Sequence, residues 1–482
     1  MPGQKKTFPE KGSTENALLE TMQAAQAQDA RWREGRTFSM VFYPGMEAAK
    51  IQQEAYRMFF FENGLNPSAF PSLRKFETEV VAMSADLMHG DEHVVGNMTF
   101  GGTESILCAV KAAREWALEQ KRNSSFRPEM VVPLSAHPAF DKAAHYFGIT
   151  IHHAPLGPDY RANVEEMRKL INENTILIVG SAPAYPHGVI DPIEELGKLA
   201  LEKNVLLHVD ACVGGYILPF VERLGYPIPK FDFRVPGVTS LSMDLHKYGY
   251  VTKGASVILY KNSELRKKQY FVYTGWPGGI YASATVSGSR GGGAIAASWA
   301  MLHYMGIEGY LKMAKAVMEA VEKIKKRVSE IEGIHLVGNP DASVLAISSN
   351  HMDIFGIGDE LTMKGWHIDR QQNPGSLHLT ITYGNTPYID EFLEDLEQAV
   401  REMRKPNLHK LSARMTIGLV KGASKILPPK TMSRLTSKFG NRKKKGIPKR
   451  SAALYGMMGV LPNKGDLRQI ILNMLDGLNK MD

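Results

Sequence analysis

Two lysines stand six residues apart in SLSMDLHKYGYVTKGASVILY, the stretch from Ser240 to Tyr260. Lys247 follows His246 and lies just past the apolar run VTSLSM. A lysine so placed projects from a turn beside a sheet edge. Partial burial would pull its pKa down and make its neutral amine a nucleophile toward carbonyl carbon; a solvated lysine is the plainer alternative. Asp210 closes a second apolar run, NVLLHVDA. Strand ends are where open α/β sheets bind ligands, although a helix cap or turn residue would look the same. In GGTESIL, Gly101 and Gly102 precede a strong helical pattern. Glycines let a ligand approach the backbone, and the free N–H groups of a helix start attract an anion. Thr103 either caps that helix or caps it and binds phosphate. His137 follows the strand-like MVVPLS, as a ring to stack on a flat ligand or as an ordinary loop histidine.

Each signal alone is modest. Together they make a phosphate cradle, a stacking ring, a carboxylate and an amine, and pyridoxal 5'-phosphate uses all four. The amine forms the Schiff base, and the carboxylate keeps the pyridine nitrogen protonated so that the ring withdraws electrons. No metal-ligand spacing stands out, and no metal is expected.

These groups need a scaffold. The chain has 482 residues, 44% hydrophobic, enough for a large core and two or three domains. From about 75 to 262, short β-rich runs (EMVVPLS, TILIVGSAP, NVLLHVDA, VTSLSM, ASVILY) alternate with helical patterns such as TESILCAVKAAREWALEQKR. That alternation predicts an α/β domain with a mostly parallel sheet. After about 310, a long amphipathic helix, the runs IHLVGN, SVLAISS and SLHLTITYG, and the helix IDEFLEDLEQAVREMR predict a smaller C-terminal α+β domain. The expected divisions are a helical N-terminal arm over 1–55, a large domain over 56–308 and a small domain over 309–482. A last helix, DLRQIILNMLDGLNKM, is expected to close the chain.

Only Cys108 and Cys212 occur, so no disulfide framework is implied and a reducing compartment is expected. The N-terminus MPGQKKTFPEKGSTENALLE has no apolar core of a secretory signal. The longest apolar run, VLLHVDACVGGYILPFV, carries His208 and Asp210 and reads as a strand and turn, not a membrane span. A cytoplasmic protein is expected. The net charge of +8 is unevenly spread: residues 405–450 hold 14 Lys and Arg and no Asp or Glu, against 44 basic and 50 acidic residues elsewhere. That stretch mixes apolar pairs with cations. It reads as a solvated loop or as a segment that rests on an anionic membrane, peripherally. Nucleic-acid binding is the weakest reading, because no recognised binding fold accompanies the charge.

The segments NPSAFPSLRKFETEVV, GGTESIL, SAHPAFDKAAHYFG, PHGVIDP, LHVDACVGG, DLHKYGYVTKGASVILY, GGIYASATVSGSRGGG and ALYGM are similar to those of the sphingosine-1-phosphate lyases. These belong to the pyridoxal-phosphate enzymes of aspartate-aminotransferase fold (fold type I), with the group II amino acid decarboxylases. The resemblance implies Lys247 as the Schiff-base lysine, Asp210 as the pyridine partner and His137 as the stacking ring. It puts Gly102, Thr103 and His246 near the cofactor phosphate, and Lys253 and Ser289 at the substrate phosphate. It implies a homodimer, with GGIYAS reaching across, and a retro-aldol cleavage giving an aldehyde and phosphoethanolamine. A decarboxylase on the same fold is the alternative. Two positions depart from the family pattern. Asn66 stands where the family has a phosphate-binding histidine, and asparagine adds no positive charge. Phe42 aligns with an active-site tyrosine, with Tyr43 one residue away as its replacement. Tyr455 matches a C-terminal family tyrosine.

Overall fold

The computed structural model describes residues 7–27, 29–121 and 125–405, together with 468, 471–473 and 475–477. Tyr455 and the basic stretch beyond Lys405 lie outside the described residues, as does much of the expected last helix, whose seven described residues are helical.

The apolar run of TILIVGS lacks alternation because both faces of its strand are covered. This strand, β4 (Thr175–Ser181), is buried at every residue. It sits inside a seven-stranded sheet with β1 (Val95–Thr99), β2 (Glu129–Pro133), β3 (Thr150–Ala154), β5 (Leu206–Asp210), β6 (Val238–Met243) and β7 (Ser256–Tyr260). The strand order is β1-β7-β6-β5-β4-β2-β3. Pairs from β6 through β3 are parallel, and β7 runs antiparallel between β6 and β1. The helix Gly102–Lys121 packs on this sheet through an apolar face that includes Ile106, Val110 and Ala113.

A hairpin follows, β8 (Phe271–Trp276) and β9 (Gly279–Ser283), with every residue of β8 exposed. The helix Gly292–Glu330 then runs to a second, antiparallel sheet and is broken at Gly306, whose φ of 54° leaves the helical region. That sheet contains β10 (His335–Leu336), β11 (Val344–Ser348), β12 (Asp369–Gln371) and β13 (Ser376–Thr380), ordered β10-β11-β13-β12. The helix Ile389–Arg404 buries Phe392, Leu396, Ala399 and Val400, spaced three and four apart as one apolar stripe.

The N-terminal stretch differs from the expected helical arm. The first helix, Glu15–Gln26, buries none of its residues, and an irregular segment separates it from the helix Met46–Met58. That segment is stitched into the second sheet. Phe38 N–H donates to the His367 carbonyl at 3.2 Å, and Thr380 N–H donates to the Phe38 carbonyl at 2.8 Å. The Phe38 ring packs 4.6 Å from Phe392 and 5.6 Å from Trp366. The helical spacing of residues 15–35 carried no trace of these partners, which lie more than 300 positions away. The anchoring holds Ser39, Met40 and Phe42 at the carboxyl ends of the parallel strands, where they wall a cavity.

Candidate active site

The cavity measures about 760 Å³ and lies where β4, β5 and β6 end. Its floor comes from the last residues of β4 and β5, Ser181 and Asp210, and from Asp244, His246 and Lys247 in the turn after β6. One wall is the start of the helix Gly102–Lys121, and another is Tyr185 with Thr380 from β13.

The helix start is shaped for close approach. A Cβ at Gly102 would lie 2.7 Å from Cys212 Sγ and 2.8 Å from Asp244 Oδ2, so only glycine fits. Glu104 folds back and accepts from the Phe100 N–H at 2.6 Å and the Ser287 N–H at 3.0 Å, which pins the loops on either side. Ser105 bonds Thr99 and Ser256 at 2.7 and 2.9 Å, tying the helix to β1 and β7. Free N–H groups and the positive end of the helix therefore face the cavity beside Gly101, Gly102 and Thr103.

Asp210, at the end of β5, is buried. Its Oδ1 accepts from the Cys212 N–H at 3.0 Å and the Ser242 hydroxyl at 3.3 Å, which fixes the carboxylate. His137 is exposed on the cavity wall, and its Nδ1 accepts from the Ala139 N–H at 3.1 Å, which sets the ring's direction.

Lys247 differs from the sequence expectation in its charge. Its Nζ lies 3.0 Å from Oδ2 of Asp244, which is 1% exposed. Burial alone would lower the lysine pKa, as expected from the sequence, but the Asp244 carboxylate, with Cys212 and Asp210 behind it, raises it on balance. Asp244 is in turn held below the usual carboxylate range: burial opposes its charge, but Lys247 and His246 outweigh that cost. Without cofactor, then, the amine is a paired ammonium. Asp244 was not singled out in the sequence. Its signal was its place three residues before Lys247 in DLHK, one turn away.

His246 lies 3.5 Å from Asp244 through Nε2, and burial lowers its pKa. Lys253 donates to the His246 carbonyl at 3.1 Å, and its amine lies 5.1 Å from the centre of the Phe42 ring. Much of the Lys253 residue is exposed, yet its amine is crowded, and burial with the nearby Lys247 charge pulls its pKa down to about 8.

Seven expected site residues therefore meet in one cavity: Gly102, Thr103, His137, Asp210, His246, Lys247 and Lys253. Three do not line it in this chain. Asn66 Oδ1 accepts from the Ser68 and Ala69 N–H groups, a local turn. Ser289 accepts from Asn63 Nδ2 at 3.1 Å. Tyr43 turns its ring toward Trp32, 5.5 Å away, while Phe42 lines the cavity.

Pyridoxal 5'-phosphate fits what is present. The helix start offers room and donors, and His246 Nδ1 and Ser39 Oγ, of residues that line the same cavity, are buried with no hydrogen-bond partner among the described residues. The His137 ring, the Asp210 carboxylate and the Lys247 amine, the other three groups the cofactor uses, open on the same space. Among the described residues no cluster of His, Cys, Asp and Glu could hold a metal.

Known proteins agree with this chemistry. Residues 1–348 match the pyridoxal-dependent decarboxylase conserved domain. The solved glutamate decarboxylase of Lactobacillus brevis superposes with a TM-score of 0.73 at 21% identity, over 84% of this chain and 97% of that one, and so shares the fold. Fold and site define a fold-type I, pyridoxal-phosphate-dependent lyase. The sphingosine-1-phosphate lyase of Dictyostelium discoideum is 46% identical over 82% of this chain and 74% of its own length. The rat enzyme is 43% identical over 83% and 70%. The solved lyase of Burkholderia pseudomallei gives a TM-score of 0.81 at 39% identity, covering 89% of this chain and 98% of that one. The chain belongs to the sphingosine-1-phosphate lyase family.

Proposed function

We propose that this chain cleaves the bond between the amine-bearing and hydroxyl-bearing carbons of sphingosine 1-phosphate, releasing a fatty aldehyde and phosphoethanolamine. The observation that carries this reading is the cavity itself: Lys247, Asp210, His137 and the Gly102 helix start share one space, with Lys253 at its edge. Lys247 would hold the cofactor covalently, Asp210 its ring nitrogen, His137 its face, and Gly102, Thr103 and His246 its phosphate. When bound, the cofactor supplies the electron sink that accepts the pair left by the broken carbon–carbon bond.

The chain's own groups do the rest. Before the cofactor is bound, Asp244 keeps the Lys247 amine within the cavity and protonated. Lys253, as an ammonium, binds the substrate phosphate. Phe42, Val286 and Met40 give the cavity apolar wall against which a hydrocarbon chain is held. Phe271, Val272, Tyr273, Trp276 and Ile280 leave the hairpin β8–β9 with exposed apolar side chains on both of its faces, which supports a homodimer in which that hairpin meets a second copy. Ser289, Asn66, Tyr43 and Tyr455 then act at a site completed by the second chain.

The test is direct. The cofactor-loaded protein is incubated with sphingosine 1-phosphate and, separately, with a panel of amino acids. Fatty aldehyde in the first and no carbon dioxide in the second is expected; carbon dioxide without aldehyde makes it a decarboxylase. Lys247→Ala should lose both the absorbance of the bound cofactor near 400–430 nm and all cleavage. Sedimentation should give twice the monomer mass.

No helix among the described residues is long and apolar enough to cross a membrane. We propose peripheral contact through residues 405–450, because each cation near an anionic surface contributes about 1 kcal/mol. Flotation with phosphatidylserine vesicles should fall when 405–450 are deleted, and equal flotation removes the proposal.

A further inference from the structure

Behind Asp210 lies a buried histidine that none of the roles above employs. His208 and Asp210 are two residues apart on β5 and so share a face of the sheet. The parallel register sets His208 beside Ser240 and Asp210 beside Ser242 on β6. His208 and Ser242 are both fully buried. His208 Nδ1 lies 2.9 Å from Ser240 Oγ, and its Nε2 lies 3.2 Å from Ser242 Oγ. Ser242 in turn donates to Asp210 Oδ1 at 3.3 Å. Phe140, in the helix Ala139–Phe147 that starts just after His137, packs edge-on to the His208 ring at 5.8 Å.

The direction of these bonds follows from the residue types. A carboxylate only accepts, so the one hydroxyl proton of Ser242 goes to Asp210. Ser242 Oγ must then accept from its other neighbours, the Cys212 thiol at 3.3 Å and the His208 Nε2–H. Burial pushes the Cys212 thiol pKa up, so the thiol keeps its proton. Burial lowers the His208 pKa to about 4, against a weaker opposing pull from Asp210, so the ring is neutral and has a single N–H to give. With that N–H on Nε2, Nδ1 accepts from the Ser240 hydroxyl. One polarised chain therefore runs from Ser240 through His208 and Ser242 to Asp210, in dry surroundings where each bond strengthens the next. Asp210 Oδ1 also accepts from the Cys212 N–H at 3.0 Å, whereas Oδ2 takes no hydrogen bond among the described residues.

Resting on the assignment of Asp210 to the cofactor's ring nitrogen, we propose that His208 and Ser242 are positioning residues for that contact: together they hold Asp210 as a carboxylate, leave its Oδ2 for the nitrogen and keep the shared proton on the nitrogen. A donor at Oδ1 stabilises the charged form of Asp210 and makes it the weaker base of the pair. Remove the donor, and Asp210 competes better for the proton, which weakens the electron sink. Neither His208 nor Ser242 lines the cavity, so both act through Asp210.

The test titrates cofactor-free protein with pyridoxal 5'-phosphate and with its deaza analogue, which carries C–H in place of the ring nitrogen. Wild type should prefer the natural cofactor by about tenfold or more, the range of one hydrogen bond between charged groups. Ser242→Ala should cut that preference about three- to tenfold, by weakening pyridoxal phosphate while the Kd of the analogue stays within about twofold. His208→Phe should act in the same direction. His208→Gln, whose amide N–H takes the place of the Nε2–H, should keep the preference within about twofold of wild type. In an Asp210→Asn background, Ser242→Ala should move neither Kd by more than about twofold, because the group it acts on is gone. An unchanged preference in Ser242→Ala overturns the proposal. Equal weakening of both cofactors overturns it too, since a merely structural residue would give that result. If His208→Phe fails to fold, Ser242→Ala and His208→Gln still decide the matter. If wild type itself shows no preference, the assignment of Asp210 falls, and this proposal with it.

Discussion

Replacing Asp244 by asparagine should alter both the stability of the cofactor-free chain and the pH at which it captures its cofactor. The Asp244–Lys247 pair is 3.0 Å apart, and Asp244 is 1% exposed. At an effective dielectric of about 20, two unit charges at that distance attract by about 5.5 kcal/mol. Desolvation of both ions offsets much of this. The amide that replaces the carboxylate still accepts a hydrogen bond, so a net loss of about 2–4 kcal/mol is expected, within the cost of breaking a buried pair. The sign follows from the two titrations. Asp244 is lowered from 3.8, so its contribution is present above that value and lost as pH falls through the folded pKa. Lys247 is raised from 10.5, so its contribution is present below that value and lost as pH rises through the folded pKa. The destabilisation is therefore full near neutral pH and shrinks at both extremes. The variant also frees Lys247 to lose its proton sooner. If only about a quarter of that attraction survives as a shift in the amine's equilibrium, about tenfold more neutral amine is available at pH 7. Urea unfolding of the cofactor-free protein reads the first effect, and the rate at which cofactor absorbance appears reads the second. Equal stability at pH 7 with an unchanged capture rate would refute the reasoning, because the ion pair would then be neither holding nor charging Lys247.

Gly102→Ala should weaken cofactor binding at least tenfold, since its Cβ would fall 2.7 Å from Cys212 Sγ and 2.8 Å from Asp244 Oδ2; an unchanged titration with pyridoxal phosphate would show that the helix start can yield. Lys253 loses its charge at about pH 8, so KM for a phosphorylated substrate should rise about tenfold between pH 7 and pH 9. Lys253→Arg should flatten that profile, and a Lys253→Ala enzyme with the wild-type profile would remove Lys253 from phosphate binding.

Much of the chemistry was legible because it depends on residue type at a fixed place along one element. Asp210 ends a buried run, glycines open a helix, and Lys247 follows a strand; local spacing was enough to read each. The parallel sheet was legible too, because a strand covered on both faces must be apolar throughout, as TILIV is. What stayed hidden needed partners from far along the chain. Nothing around residue 38 announces that its backbone bonds to residues 367 and 380, so the expected helical arm became a segment stitched into the second sheet. Tyr185 sits between an alanine and a proline, and only its stacking on His378, 193 positions later, gives its hydroxyl a direction. The same holds for charge. Burial, foreseeable from an apolar setting, would have lowered the Lys247 pKa, but a carboxylate one turn away reverses the sign. Sequence by itself determined which groups are available and which elements carry them. The tertiary structure decided their distances, and Coulomb attraction and hydrogen bonding depend on distance, so it alone fixed which amine is charged and which hydroxyl faces the cavity.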